Sequence, residues 1–190
     1  MSMKLAGMIL LAAVLVLPGI GFAETAKEAI VNKERAVKAA YIYNFLKFSD
    51  WPEESFETPE SPVMVCFFGD DPIEAQMRES VMGKMVRERM VMTRRIKRSA
   101  GASMNADSGC HALYISGMDA NEAAKIANGI PKNSSILTIG DMDGFAKKGG
   151  SINFVPRGTN LKIQINTDTI EGQGIHVSSR LLSIAELVNE

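Results

Sequence analysis

The stretch VMVCFFG, residues 63–69, decides the fold. It is a continuous apolar run of strand length that ends in glycine, which is typical of a strand buried on both faces of a sheet. The segment that follows predicts a helix, because Asp71 can cap it, Pro72 suits its first turn and Gly83 can end it. A doubly buried strand followed by a helix is the opening of an α/β fold.

The rest of the chain continues this alternation of strands and helices. Further strands are predicted at 85–96, 111–116 and 134–141, a helix at 118–130, a hairpin around 157–160, and a last helix at 178–188. The predicted fold class is α/β, a single-domain sandwich. Its mostly parallel sheet of about five to six strands carries an antiparallel edge hairpin and is flanked by helices.

The aromatic stretch YIYNFLKFSDWP, residues 41–52, ends a helix that the apolar spacing predicts over residues 26–48. The predicted buried stripe consists of Ile30, Val37, Tyr41, Phe45 and Phe48, which leaves Lys27, Glu34 and Lys38 on the opposite side. Asn44 lies at the edge of that stripe, and Pro52 ends the helix through its effect on Trp51. We expect the stripe to pack on the sheet.

The first 23 residues resemble an export signal. Lys4 precedes a mostly aliphatic run over residues 5–17, and Pro18 and the small residues before Glu24 follow it. The alternative is a retained membrane anchor, although the run is shorter than the ~20 apolar residues of a spanning helix. We predict a signal peptide over 1–23, and a single exported domain over 24–190 that does not insert into the membrane. The net charge of −1 gives no electrostatic reason to expect a nucleic-acid partner.

The two cysteines, Cys66 and Cys110, allow one disulfide in an oxidising compartment or, alternatively, two buried thiols. Their positions on or beside neighbouring strands favour the disulfide. The two histidines, His111 and His176, have no nucleophile motif to serve, so we predict no catalytic residues and no enzyme activity. No zinc-type spacing or dinucleotide fingerprint occurs, and we expect neither metal nor cofactor.

Two further patterns each leave an alternative open. Met82, Met85, Met90 and Met92 lie close together and favour core filling over a copper site. The basic stretch 84–98 favours a solvated strand edge, with Arg87 and Arg89 on an exposed face, over a site for an acidic partner or an anion.

Five segments in order resemble the YfiR-like family of periplasmic proteins that repress a membrane-bound diguanylate cyclase. They are VKAAYIYNFLKFSDWP, VCFFGDDP, CHALYIS, ILTIGDMDGFAKKGGSINF and KIQINTDTIEGQGIHVSSRLLSIA, which are distributed in family order along residues 30–186. The resemblance implies an α/β sandwich that binds the periplasmic sensing domain of an inner-membrane cyclase and lowers cyclic di-GMP. It also implies a homodimer, and release either by an outer-membrane lipoprotein that sequesters the repressor or by loss of a disulfide. The family's motif cysteines fall on Cys66 and Cys110.

The residues predicted to border a ligand or partner site are Asn44, Lys47, Trp51, His176 and Arg180. The guanidinium of Arg180 suits a carboxylate or phosphate on a partner, or alternatively an internal acid such as Asp50. The competing functional hypothesis is a periplasmic small-molecule sensor or carrier, in which Asn44, Trp51, His176 and Arg180 surround an anionic or aromatic ligand.

Overall fold

The computed structural model describes residues 20–69, 71–97, 109–158 and 160–189. Two compact units divide the chain, residues 1–33 and residues 34–190, and the sheet lies in the second. The predicted signal peptide lies outside the described residues, apart from helical positions 20–23, and stays a prediction. Among the described residues no helix combines the length and apolar character needed to cross a membrane.

Helices and strands alternate through the second unit. The helices are α1 (Ile20–Lys47, which begins in the first unit), α2 (Ile73–Val81), α3 (Ala120–Asn128), α4 (Thr167–Gly172) and α5 (Ser179–Leu182). The strands are β1 (Ser49–Asp50), β2 (Val63–Phe68), β3 (Met85–Val86), β4 (Arg89–Ile96), β5 (Ala112–Ile115), β6 (Leu137–Gly140), β7 (Ile152–Arg157), β8 (Asn160–Ile165), β9 (His176–Val177) and β10 (Glu186–Leu187).

Within the described ranges, eight strands form the main sheet in the order β10-β8-β7-β6-β5-β2-β4-β3. Five neighbouring strands of this sheet run parallel, in the order β7-β6-β5-β2-β4. Strand β8 pairs antiparallel with β7 in the predicted hairpin. The α/β class and the edge hairpin are therefore confirmed, whereas the predicted five to six strands were too few. Strands β1 and β9 form a separate antiparallel ribbon that the sequence analysis missed.

Both faces of strand β2 are buried, as its apolar run predicted. Val65 and Phe67 belong to one core cluster, which includes buried residues of α1 and α2. Cys66 and Phe68 belong to a second cluster, which includes buried residues of α3. Because successive strand residues point to opposite faces, the two clusters lie on opposite sides of the sheet. The sheet is thus the middle of three layers.

The predicted strand 85–96 is in fact a hairpin of β3 and β4, so this segment contributes two strands to the sheet instead of one. Arg87 and Glu88 form its turn with φ values of 49° and 68°. Two consecutive residues with positive φ make the type I′ turn favoured in tight hairpins. This turn ordinarily uses Asn-Gly, so Arg-Glu gave no sequence signal for it. The strand pattern also misplaced Arg89, which is buried.

The predicted helix 178–188 is also wrong in its second half. Ser178 does cap α5, accepting a hydrogen bond from the Leu181 backbone N–H, but the helix ends at Leu182. Residues 186–187 then pair with β8 as β10, and the Val188 N–H donates to the Ile165 carbonyl. The outer edge of β8 offers backbone groups that a strand can satisfy, and this outweighs the local helical spacing.

The buried stripe of α1 is rotated from the predicted one. Phe45 is buried as expected, and Tyr41 and Phe48 are half-buried against the core, but Ile30 and Val37 are exposed. The residues that α1 buries are Lys38, Ala39, Ile42, Phe45 and Leu46. The prediction failed because Lys38, expected in solvent, has an acidic partner on the sheet that local periodicity cannot reveal.

We predict that Gly140→Ala destabilises the fold by roughly 1–3 kcal/mol, the usual cost of overfilling a packed core. A Cβ at Gly140 would lie 2.5 Å from Cδ1 of Phe145, whose ring is fully buried. Urea denaturation of the two proteins measures the change. Gly172→Ala is the control, because a Cβ there meets no atom within 4 Å. Equal midpoints for Gly140→Ala and the parent would contradict the packing described here.

Candidate functional site

Cys66 and Cys110 form the predicted disulfide. Cys66 lies in β2 and Cys110 just before β5, the strand that pairs with β2, and their Cα atoms are 5.8 Å apart. Both residues are buried. Arg94, the register partner of Cys66 on β4, donates from Nη2 to the sulfurs of Cys110 at 3.2 Å and Cys66 at 3.6 Å. A permanent positive charge therefore lies directly against the bridge.

His111 is held neutral mainly by its burial, and its hydrogen bonds fix its tautomer. Its Nδ1 accepts from the Met64 backbone N–H at 3.1 Å, so the ring proton is on Nε2, which lies 3.2 Å from the Ser55 carbonyl and donates to it. Burial lowers the pKa of His111 to about 4, and the charge of Arg89 acts in the same direction, against the hydrogen bond to Ser55. Both ring nitrogens are occupied, so His111 is a structural residue.

Arg89, Phe56 and His111 form a stack beside the disulfide. The rings of Phe56 and His111 are 4.3 Å apart and nearly parallel, and the guanidinium of Arg89 lies 3.7 Å from the Phe56 centroid. Nη1 of Arg89 also donates to the carbonyls of Thr58, Pro59 and Ser61, and Nη2 to Glu53. The stack therefore fixes the loop between β1 and β2, residues 51–62, against the sheet.

Two pockets flank this stack. One, of about 320 Å³, is lined by residues that include Phe56, Cys110 and His111. The other, of about 380 Å³, is lined by residues that include Trp51 and Arg89. The first pocket gives small molecules a route toward the Cys110 side of the disulfide.

The carboxyl ends of β2, β5 and β6 carry a charged network. Lys38 of α1 donates to Asp141 at 2.7 Å and also pairs with Glu34, and the Tyr114 hydroxyl donates to Asp141 at 2.8 Å. Burial lowers the pKa of Lys38, but the hydrogen bonds and charges of Asp141 and Glu34 outweigh it and raise the pKa above its ordinary value. Burial, with the charge of Asp141, raises the pKa of the Tyr114 hydroxyl.

Asp71 completes this edge. Its carboxylate accepts from the Ser116 hydroxyl at 3.0 Å and from the Ile73 backbone N–H at 2.8 Å, and it lies 3.8 Å from Arg35. This edge, beside the point where the strand order reverses, is where open α/β sheets ordinarily bind ligands. Here α1 supplies cations to both aspartates, so the network holds α1 to the sheet.

Four of the five predicted binding residues are exposed, whereas the fifth, Trp51, is held by hydrogen bonds to backbone carbonyls. We call five residues at and beside the β1–β9 ribbon the ribbon surface. They are Asn44 and Lys47 near the end of α1, Phe48 just before β1, His176 of β9 and Arg180 of α5. The Ser178 N–H donates to the Phe48 carbonyl, and the guanidinium of Arg180 lies 5.7 Å from the Phe48 ring centroid. Asn44, Lys47, His176 and Arg180 are exposed, and Phe48 is half-buried.

Trp51 does not belong to the ribbon surface. The suggested Arg180–Asp50 pair does not form, because Asp50 pairs with another arginine. Trp51 is half-buried, and its indole Nε1 donates at 3.1 Å to the carbonyls of both His111 and Ser135. Asp50 pairs with Arg87 of the β3–β4 turn. No acid within the described ranges pairs with Arg180.

Sequence analysis missed Tyr43 as a neighbour of the ribbon surface. The ammonium groups of Lys47 and Lys84 lie 5.8 Å and 4.8 Å from its ring centroid. The signal was present in the aromatic stretch, but local periodicity could not show that the partly buried Tyr43 ring contacts two lysines. The part of the chain that the structure describes contains no group of three His, Cys, Asp or Glu residues arranged to hold a metal ion.

We predict that the protein loses about 2 kcal/mol of stability between pH 7 and pH 5 through His111. The pKa of His111 is lower in the folded state, so its contribution is complete above the unfolded value of 6.5 and falls as the pH drops toward about 4. Denaturant midpoints across this range measure the loss. His111→Gln should flatten the profile, and His176→Gln should keep the parent's slope. Equal slopes for all three proteins would contradict the assignment.

We predict that Arg94→Gln makes the disulfide harder to reduce, with a potential lower by on the order of 30 mV, or ~1.4 kcal/mol. The guanidinium would stabilise a Cys110 thiolate in the reduced protein, and glutamine removes that charge. Equilibration with a dithiol redox buffer at pH 8 measures the potential. Arg95→Gln is the matched control, because the Arg95 guanidinium pairs with Glu74. A shift of equal size in Arg95→Gln would remove the specific role of Arg94.

Comparison with known proteins identifies the family. No curated protein matches this chain. The family model described as YfiR/HmsC-like matches residues 35–186, which include every strand from β1 to β9 and both cysteines. This match spans well over half of the chain and confirms the resemblance derived from the five sequence segments. The chain belongs to the YfiR/HmsC-like family.

Proposed function

We propose that this protein is a periplasmic regulator that binds the periplasmic sensing domain of an inner-membrane diguanylate cyclase and holds the cyclase inactive, which lowers cyclic di-GMP. The family match over residues 35–186 carries this proposal, because the family suggests regulation of such a cyclase. The export signal predicted over residues 1–23 supports a location in the compartment of that domain.

The ribbon surface is the contact that we propose for the cyclase. It combines a half-buried aromatic ring, Phe48, with the exposed cations Lys47 and Arg180. Arginine and aromatic side chains are the residues that most often dominate protein interfaces. Arg180 rests on Phe48 without an acidic partner among the described residues, so its donors are available to a carboxylate of the cyclase domain.

Release of the cyclase has two proposed routes, in line with the family. An outer-membrane lipoprotein that sequesters the repressor would compete for it, and reduction of Cys66–Cys110 would loosen β2 from β5. The repressor itself is proposed to act as a homodimer. Because this chain has two cysteines, redox control here depends on the single bridge.

A periplasmic small-molecule sensor is the second candidate, and the two pockets beside Phe56 favour it. The 380 Å³ pocket includes Asp50 and Trp51 in its wall, but Asn44, His176 and Arg180 are not among its lining residues. The residues first assigned to a ligand therefore do not surround this pocket. Saturable heat release with a metabolite would support the sensor hypothesis.

Deletion of the gene should raise cyclic di-GMP, increase matrix production and reduce swimming in a strain that expresses the cyclase. Complementation with the parent should restore the low level. An unchanged cyclic di-GMP level after deletion, with the cyclase present, would contradict the proposed function.

The Arg180→Ala variant tests the ribbon surface separately, in a binding assay with the purified protein and by complementation of the deletion strain. We expect roughly 10-fold weaker binding to the purified sensing domain, as for an interface hot spot. Its melting temperature should stay within a few degrees of the parent. Arg157→Ala, an exposed arginine at the far hairpin, is the matched control. Normal repression by a folded Arg180→Ala protein would place the contact elsewhere, and unfolding would make Arg180 structural.

A further inference from the structure

Three methionines lie side by side on the edge hairpin of β3 and β4, and all three are about half exposed. Met85 of β3 lies directly opposite Met90 of β4, and Met92 follows two residues later. Their exposed fractions are 51%, 52% and 49%. The prediction that these methionines fill the core is therefore wrong.

The three side chains lie on the same face of the sheet as a fourth methionine. Val86 and Val91, which alternate with them, are buried in the cluster on the opposite face. Met64 of β2 is the register partner of Met92 and packs at the margin of the α3-side cluster. We call Met64, Met85, Met90 and Met92 the methionine ladder.

The ladder differs from an ordinary hydrophobic surface in its composition. The described residues include eight large hydrophobic side chains that are exposed, and four of them are methionines between residues 82 and 92. A protein-docking surface ordinarily mixes methionine with aromatic residues and arginine. The paired positions of the ladder instead concentrate one soft donor type, the thioether, on this face.

The spacing of the ladder suits one metal ion. Opposite residues in an antiparallel pair have Cβ atoms ~5 Å apart. Residues i and i+2 of a strand are ~6.6 Å apart. Methionine has three rotatable side-chain bonds, so sulfurs that start from such positions can converge on one point. The ladder therefore provides three neighbouring thioethers on a rigid support, with Met64 next in the row.

Two cations close to the ladder in sequence, Lys84 and Arg94, are held by other partners. The ammonium of Lys84 lies 4.8 Å from the Tyr43 centroid, and Arg94 donates to the disulfide sulfurs. Both side chains are held by partners, so they leave the sulfurs accessible to a positively charged ion.

We propose that the methionine ladder binds one Cu(I) ion through the thioether sulfurs of Met85, Met90 and Met92, with Met64 completing the set. Neutral thioethers are soft ligands that select Cu(I), whereas Zn(II) and harder cations prefer imidazole, thiolate and carboxylate groups. This site is separate from the ribbon surface, and the proposal does not depend on the cyclase.

The test uses the full mature protein with its disulfide intact and Ag(I) as a soft ion that needs no reductant. In ¹³C-methyl-methionine spectra, we expect one equivalent of Ag(I) to shift the methyl signals of the four ladder residues, Met64, Met85, Met90 and Met92. The signals of the buried Met77 and Met142 should stay unchanged. Competition with a chromogenic Cu(I) chelator under anaerobic conditions then gives the Cu(I) affinity, and Zn(II) should produce no shift.

Variants decide whether the ladder is the site. Met90→Leu with Met92→Leu keeps side-chain volume and apolar character, and it should weaken Ag(I) and Cu(I) binding at least 10-fold. Met82→Leu is the matched control, because Met82 is 77% exposed but lies outside the three strands of the ladder. Equal weakening by Met82→Leu, or no methyl shift with Ag(I), would overturn the proposal. Methyl shifts that appear only with increasing protein concentration would also overturn it, and would indicate self-association through this face.

Discussion

The burial of two neighbouring parallel strands, β2 and β5, on both faces is the constraint on which the rest of the structure depends. Neither strand can expose a face to water, so helices must cover both sides of the sheet. Helices α1 and α2 contribute to one core cluster and α3 to the other. The disulfide adds a covalent link between the same two strands, at the end where β5 begins. Closing a loop of 44 residues restricts the unfolded chain, which favours this pairing by roughly 4 kcal/mol in the chain-entropy model.

The same arrangement decides what happens at the carboxyl ends of the strands. In many α/β proteins this edge is an open crevice that receives a ligand. Here Lys38 and Arg35 of α1 pair with Asp141 and Asp71, so the chain's own helix occupies the position. Lys38 is only 8% exposed, and removing its partner would leave a buried charge without compensation. The charged network therefore stabilises the fold, while surfaces elsewhere remain for binding.

The sequence predicted those elements whose signals are local. Strand β2, helix α3 and the hairpin at residues 157–160 follow from apolar runs, capping residues and turn residues. The errors arose where distant partners decide the structure. Lys38 is buried because Asp141, 103 residues later, neutralises it, and residues 186–187 form a strand because the edge of β8 is open. At the candidate site, composition drew attention to Arg180 and His176, but only the β1–β9 pairing shows that they adjoin the end of α1.

Several contacts join the end of α1 and the β1–β9 ribbon to the hairpin of β3 and β4. The Tyr43 hydroxyl donates to the Met85 carbonyl at 3.3 Å, the Lys84 ammonium lies 4.8 Å from the Tyr43 ring centroid, and Arg87 forms an ion pair with Asp50. The side chains of this pair are 64% and 45% exposed, so water and salt screen their attraction. Exposed pairs of this kind contribute ~0–1 kcal/mol. A change at the ladder can alter binding at the ribbon through this contact by no more than that energy, which corresponds to a factor of about five in affinity. Coupling through this ion pair is therefore weak, and stronger coupling between the two surfaces would have to pass through Tyr43, whose hydroxyl donates to the Met85 carbonyl, or through a rearrangement of the β3–β4 turn.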